Sequence, residues 1–157
     1  MVRLADLPDF ERAHMLDKLK GLEDFNARPW VKPPPLKHCR IAIVSTAGLQ
    51  VRGDRPFGPS ATATDYRVIP GDTLAADLVM SHQSVNFDRT GFQEDHNVAL
   101  PLDRLNELAR DGVIGAVADF HYSFMGAAPI RKIEPKAREL AGLLKKDRVD
   151  AVLLSPV

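Results

Sequence analysis

Arg40-Ile-Ala-Ile-Val-Ser45 is a short apolar run rich in β-branched residues, and Thr46-Ala47-Gly48 breaks it. A run without polar alternation suits a strand covered on both faces, as in a parallel sheet. Val113 to Phe120 and Val149-Asp-Ala-Val-Leu-Leu154 have the same character. Segments of helical period lie between them. Pro101 to Arg110 opens with a proline suited to a first turn, sets Leu102, Leu105, Leu108 and Ala109 on one face, and stops at Asp111-Gly112. Glu134 to Lys146 carries Pro135 early and puts Leu140, Leu143 and Leu144 on its buried side. Tyr66-Arg-Val-Ile69 reads as a further short strand, and Thr73 to Ser81 as a helix capped by Asp72. Residues 50–64 hold Gly and Pro without periodicity and read as a loop, and Ser123-Phe-Met-Gly126 as a turn.

Strands alternating with helices predict an α/β fold. The expected architecture is an open, mostly parallel sheet containing 41–45, 113–119 and 149–154, with flanking helices in Rossmann- or flavodoxin-like layers. This α/β domain takes residues 39–157, behind an N-terminal helix and a proline-rich arm at residues 1–38. Residues 6–22 read as an amphipathic helix: Asp6 caps it, Pro8 fits its first turn, Phe10, Ala13, Leu16 and Leu19 follow helical spacing, and Gly21 ends it. Arg28-Pro29-Trp30-Val31-Lys32-Pro33-Pro34-Pro35 must be extended, with Trp30 as an expected anchor.

Composition narrows the function classes. The 157 residues suit one domain, and with 45% apolar residues the chain can bury a core. Lys plus Arg and Asp plus Glu balance at 21 each, which argues against nucleic acid as a partner. No apolar run reaches the ~20 residues that span a bilayer. The N-terminus carries acids where a signal peptide needs an apolar core. A cytoplasmic chain with no membrane partner is expected. The single cysteine, Cys39, cannot build a disulfide framework and precedes the first strand, at the wrong edge of the sheet for chemistry.

Familiar catalytic signatures are missing: no Gly-x-Gly-x-x-Gly, no Walker-type loop, no Gly-x-Ser-x-Gly elbow and no His-Glu-x-x-His. Arg52-Gly53-Asp54 reads as a turn. His82, Asp95, His96 and His121 are metal-ligating types, but their spacings match no standard site, and no metal is expected. In open α/β sheets ligands gather past the carboxyl ends of the strands. Candidates there are Thr46 and Gly48 after the first strand, whose amides and hydroxyl suit a small anion. Asp65 and Arg67 flank the next strand, with Arg67 as a two-pronged carboxylate clamp. His82 follows, then Asp95, placed to orient an amine, and Asn97. Ser123 and Gly126 follow the third strand, and Ser155 the last. The same residues also read as ordinary caps and turns, with Asp95 or Asn97 satisfying amides before Pro101.

From Ile41 to Val157 the chain resembles the selenoprotein B family of glycine, sarcosine, betaine and D-proline reductases. The carrying segments are Val44-Ser-Thr-Ala-Gly-Leu49, Arg52-Gly-Asp-Arg-Pro-Phe57, Asp65-Tyr-Arg-Val-Ile-Pro70, Asp95-His-Asn-Val-Ala-Leu-Pro-Leu-Asp-Arg-Leu105, Gly112-Val-Ile-Gly115, Ser123-Phe-Met-Gly126 and Val149-Asp-Ala-Val-Leu-Leu154. The resemblance implies reductive cleavage of a C–N bond α to a carboxyl group. In that chemistry a selenol attacks the α-carbon and a pyruvoyl group on a partner subunit activates the amine. Family members continue past the last strand with a selenocysteine, a cysteine and a helix. The sequence after Val157 is therefore expected to hold the selenocysteine, leaving no catalytic residue in these 157. A partner reductase subunit, a thiol reductant, an amino-acid-like substrate and association with a second copy are the implied partners. A non-catalytic ligand-binding or assembly subunit of the same fold is the competing reading. A racemase-type enzyme would need paired acid/base residues, usually cysteines, and one cysteine disfavours it.

Overall fold

The computed structural model describes residues 3–21, 31–60, 62–83 and 89–157. Arg28, Pro29 and Trp30 of the expected arm lie outside them. The chain divides into two units, Met1–Lys32 and Pro33–Val157. In the first, a 3-10 turn at Leu4–Asp6 precedes helix α1 (Asp9–Lys20). Pro8 rather than Asp6 caps α1, and Gly21 closes it. The helix is not amphipathic: none of its residues is buried, and Phe10 is 74% exposed. Side-chain pairs Asp9–Arg12 and Asp17–Lys20, three residues apart, brace its surface.

In the second unit the sheet is built around β1 (Arg40–Ser45). β7 (Ala151–Ser155) runs parallel along one side, with Ile41 opposite Ala151 and Ser45 opposite Ser155. β5 (Ala116–Val117) and β6 (Phe120–Phe124) run parallel to β1 as well. Both lie on the side away from β7, because odd-numbered residues of β1 bond them while Arg40 and Thr46 bond the β7 segment. β3 (Tyr66–Pro70) lies antiparallel beyond β6, Tyr66 opposite Phe124. The sheet is therefore mixed and mostly parallel. β2 (Leu49–Val51) and β4 (Leu78–Met80) pair as a separate antiparallel ribbon.

Alternation along the strands divides the core in two. Ile41, Ile43 and Ile69 pack with Leu100, Leu102, Leu105 and Ile114, which brings in α3 (Leu102–Arg110). Val44, Tyr122 and Phe124 pack with Leu140, Leu143 and Leu144 of α4 (Ile130–Lys146). Val152, Leu153 and Leu154 of β7 stay exposed, Leu154 at 69%. No helix among the described residues is long and apolar enough to cross a membrane.

Register exposes an insertion beside β1. Arg40 faces Ala116, whereas Val44 faces Tyr122, so four steps along β1 match six along its neighbour. Ala118 and Asp119 fill the gap, a bulge that splits the expected 113–119 strand into β5 and β6 and carries β6 through Ser123 and Phe124. Each backbone group displaced there finds a partner elsewhere. The Asp119 and Phe120 N–H groups donate to Asp147 Oδ2 at 2.9 and 3.2 Å. The Asp119 carbonyl accepts from Gly71 N–H at 2.8 Å. Ile43 N–H donates to His121 Nδ1 at 2.9 Å. Arg40 then clamps the corner, 2.6 Å from Asp147 Oδ1 and 2.7 Å from Asp119 Oδ1. Burial alone would raise the Asp147 carboxyl pKa, but Arg40 and the two bulge N–H groups outweigh it and hold the pKa below the usual carboxylate range.

Other expectations give way. Residues 73–81 are not a helix but a 3-10 turn, Ala75–Asp77, leading into β4. The pull of Leu49–Val51 as a pairing edge decides this, and it turns the start of the expected 50–64 loop into β2. A short helix α2 (Arg89–Glu94) and a 3-10 turn, His96–Val98, precede α3. α4 starts at Ile130, a turn before Glu134, and absorbs Pro135 within its first turns.

Replacing Asp147 by Ala should lower unfolding free energy by ~3 kcal/mol, the low end for breaking a buried pair, since Arg40 keeps some solvent contact. Urea denaturation at pH 7 measures it. Because the native pKa is depressed, this contribution is complete above the unfolded pKa of ~3.9 and fades as the pH falls through the lower native value. The wild-type and variant curves should therefore converge in acid.

Candidate functional site

The parallel strands end together. Ser45 is opposite both Ser123 and Ser155, so three serines occupy one rung at the carboxyl edge. Beyond it Thr46, Ala47 and Gly48 turn the chain toward β2. The amides of this turn are all engaged: Thr46 N with Ser155 O at 3.1 Å, Ala47 N with Ser45 Oγ at 3.2 Å, Gly48 N with Phe124 O at 2.9 Å and Leu49 N with Ser123 Oγ at 2.8 Å. No nest of free amides is left for an anion, contrary to expectation. What this turn offers a ligand is the half-buried Thr46 hydroxyl, which accepts from Val157 N–H at 2.9 Å.

Two glycines make this packing feasible. Gly48 adopts φ +61°, and a Cβ there would lie 3.1 Å from the His82 backbone nitrogen. Gly126 adopts φ +84°, and its Cβ would lie 2.6 Å from Thr46 Cβ. Thr46, Gly48, Ser123, Gly126, Ser155 and His82 thus gather at one edge, from β1, β6, β7 and the segment after β4. The His82 imidazole is buried, and desolvation, then the nearby Arg89 charge, push its pKa down, favouring the neutral ring. Gln50, unnoticed in the sequence because its segment reads as loop, is buried beside them and accepts the Ser81 hydroxyl at 2.9 Å.

On the α4 face an apolar groove of about 390 Å³ adjoins the edge, lined by Val44, Phe124, Ile133, Leu140 and Leu154, with Thr46 and Gly126 also among its walls. α4 begins four residues after Gly126, and no side chain caps its first turn.

The remaining expected residues serve other contacts. Arg67 lies opposite Ser123, but its Nε donates to Arg55 O at 2.7 Å and its Nη2 to Pro56 O at 3.0 Å. Nη1 donates to Asp65 Oδ2 at 2.8 Å and Tyr66 O at 2.9 Å, and the guanidinium stacks 4.2 Å over Phe57. Arg67 and Asp65 thus fasten the 55–57 strap, with no paired donors left for a carboxylate. Asp95 accepts from Asn97 N–H and Nδ2 at 2.9 and 2.8 Å, and Asn97 Oδ1 accepts from Asp103 N–H at 3.1 Å, capping α3. Those Asn97 donors, backbone first, hold the Asp95 pKa below normal. Cys39, 1% exposed, donates its thiol to Pro34 O at 3.3 Å at the amino end of β1.

These features define an α/β protein with an apolar groove at the carboxyl edge of its parallel strands. The glycine/sarcosine/betaine reductase selenoprotein B (GRDB) profile matches residues 17–157, and the chain belongs to that family. It is 34% identical over 150 residues to the D-proline reductase subunit gamma of Acetoanaerobium sticklandii, covering 89% of this chain and 60% of that one. Over 132 residues it is 34% identical to the glycine reductase complex component B subunit gamma of Symbiobacterium thermophilum, covering 78% of this chain and 30% of that one. The sarcosine reductase complex component B subunit beta of Peptoclostridium acidaminophilum is 30% identical over 120 residues, 74% of this chain and 27% of its own. The chain thus spans 60% of the first relative and less than a third of the other two. No solved structure matches it.

Gly126→Ala should cost at least ~1–2 kcal/mol from the left-handed backbone alone, and more from the clash with Thr46. Thermal unfolding reports the loss, and a shifted Val157 amide resonance reports displacement of the Thr46 hydroxyl. Arg67→Ala should cost ~2–3 kcal/mol through lost charged hydrogen bonds. Limited proteolysis should then cut the 52–58 segment faster.

Proposed function

We propose that this chain is the substrate-holding part of a reductase of the component B type. It binds glycine, sarcosine, betaine or a D-proline-like amino acid at the carboxyl edge for reductive cleavage of the bond between nitrogen and the α-carbon. The observation that carries the reading is the half-buried Thr46 hydroxyl against Gly126 at the wall of the apolar groove, in a chain of this family. The reductions in the relatives' names, of D-proline, glycine and sarcosine, share a small substrate whose α-carbon bears both an amine and a carboxylate.

In this reading the Thr46 hydroxyl and the uncapped first turn of α4, both on the groove face, meet the carboxylate, and Ser155 closes the strand end from the other face. The apolar groove takes the methyl or methylene groups. His82, favoured neutral, packs its backbone against Gly48 at this edge. Gly48, Ser123 and Gly126 let the walls approach. Asp65 with Arg67, and Asp95 with Asn97, stiffen the loops around the site.

The reducing atom comes from elsewhere. Cys39 is the one cysteine of the sequence, and it is buried at the opposite edge. A selenol supplies a nucleophile ionised at neutral pH, and a pyruvoyl group on a partner subunit activates the amine. We place both outside these 157 residues, in a cytoplasmic complex that a thiol reductant regenerates. This chain's residues bind the substrate, orient it and exclude water.

Calorimetric titration of the chain, alone and with its partner subunit, against glycine, sarcosine, betaine and D-proline tests the proposal. One of them should bind at a single site, and Thr46→Val should weaken it roughly three- to tenfold, one hydrogen bond of ~0.5–1.5 kcal/mol. The chain alone should show no turnover with a dithiol donor. Unaltered binding in that variant would move the substrate away from this edge. Partner binding without any substrate binding would favour the assembly subunit instead.

A further inference from the structure

We infer that His121 is a positioning residue that pins the start of β6 to β1 only while its ring is neutral, so that proton uptake loosens the strand that carries Ser123. The geometry carries the inference. The bulge at Ala118–Asp119 turns the Asp119 carbonyl toward Gly71, and the Ile43 N–H meets an imidazole nitrogen instead. Two residues on, Ser123 Oγ accepts the Leu49 N–H at 2.8 Å. Side chains of β6, at alternate positions, therefore hold both β1 and the turn into β2.

An amide N–H is only a donor, so Nδ1 must carry a lone pair and the proton must reside on Nε2. His121 is 0% exposed, and Nε2 has no protein partner. A second proton would set N–H against N–H at the Ile43 contact and bury an unpaired charge. From β1, Arg40 repels that charge, while from the end of α4 Asp147 attracts it, already paired with Arg40. In the turn after β3 the facing residue is Gly71, and the neighbouring Asp72 is exposed. Asp119, on the bulge itself, is paired with Arg40. Burial is the largest effect, Asp147 opposes it less strongly, and Arg40 adds to it, so the pKa falls to about 4.

The sign follows. An unfolded histidine titrates near 6.5, so the unfolded chain binds the extra proton first. The contribution of neutral His121 is complete above pH ~6.5 and is lost as the pH falls from there to about 4, roughly tenfold in the folding constant per pH unit. Over that range the Ile43 and Leu49 amides should lose protection before the rest of β1.

Hydrogen exchange of the whole chain between pH 7 and 4.5, corrected for intrinsic exchange, tests this against His121→Asn. Asn Oδ1 keeps an acceptor near the Nδ1 position and does not titrate. Wild type should show acid-dependent loss of Ile43 and Leu49 protection, and His121→Asn should hold Ile43 at pH 7 and flatten that dependence. A flat wild-type profile, or an equal dependence in the variant, overturns the inference. Should the variant fail to fold, nitrogen NMR of the wild-type ring decides: an Nδ1–H tautomer, or titration near 6.5, overturns it. The effect on substrate rests on the function proposed above. Intact pinning with no ligand bound at any pH would sink that function and leave the pin standing.

Discussion

The two extra residues beside β1 are the constraint on which the sheet depends. A parallel ladder cannot absorb them without stranding backbone donors, and stranded donors in a dry interior cost ~1–3 kcal/mol each. Here four side chains from distant parts of the sequence intervene: Asp147 takes two N–H groups, His121 takes a third, and Arg40 ties Asp147 to Asp119. Gly71 supplies the N–H that the diverted carbonyl needs. Downstream of this repair the strands regain a common register, and Ser45, Ser123 and Ser155 come level. The amino edge therefore sets the geometry of the carboxyl edge.

The two edges differ chemically for the same reason. At the amino end charge is concentrated and mutually neutralised, and the lone thiol is sealed behind Pro34 and Pro35. At the carboxyl end side-chain hydroxyls replace charges, and two left-handed glycines allow backbones to touch.

Much of this was legible in the sequence. The unbroken apolar runs at Arg40–Ser45 and at Val149–Leu154 announced parallel strands, of which only the first is covered on both faces, and the edge positions of Gly48, Ser123, Gly126 and Ser155 followed from knowing where strands end. What stayed hidden was whatever depends on distant partners. The break after Val117 is stabilised by Asp147, 28 positions from Asp119. Nothing local in Thr73–Ser81 distinguishes a helix from a turn and a strand, because the deciding partner is Leu49–Val51. Arg67 had the right chemistry and position for a clamp, yet carbonyls of Arg55 and Pro56 claim its donors. On the α3 side, by contrast, the capping reading of Asp95 and Asn97 matches the contacts they make.

The central strand is also the first one synthesised. Arg40 and Asp150 bond each other across 110 positions, and Ile43 waits 78 positions for His121. On a ribosome β1 therefore emerges with neither neighbour present, its isoleucines bare until Ala151–Ser155 has followed. Closing so long a loop is slow, and an unpaired apolar strand is sticky in the meantime. Production of this protein should accordingly be limited by how well the nascent chain is shielded, and slower translation would gain it little, because the missing partners lie 78 and 110 positions downstream.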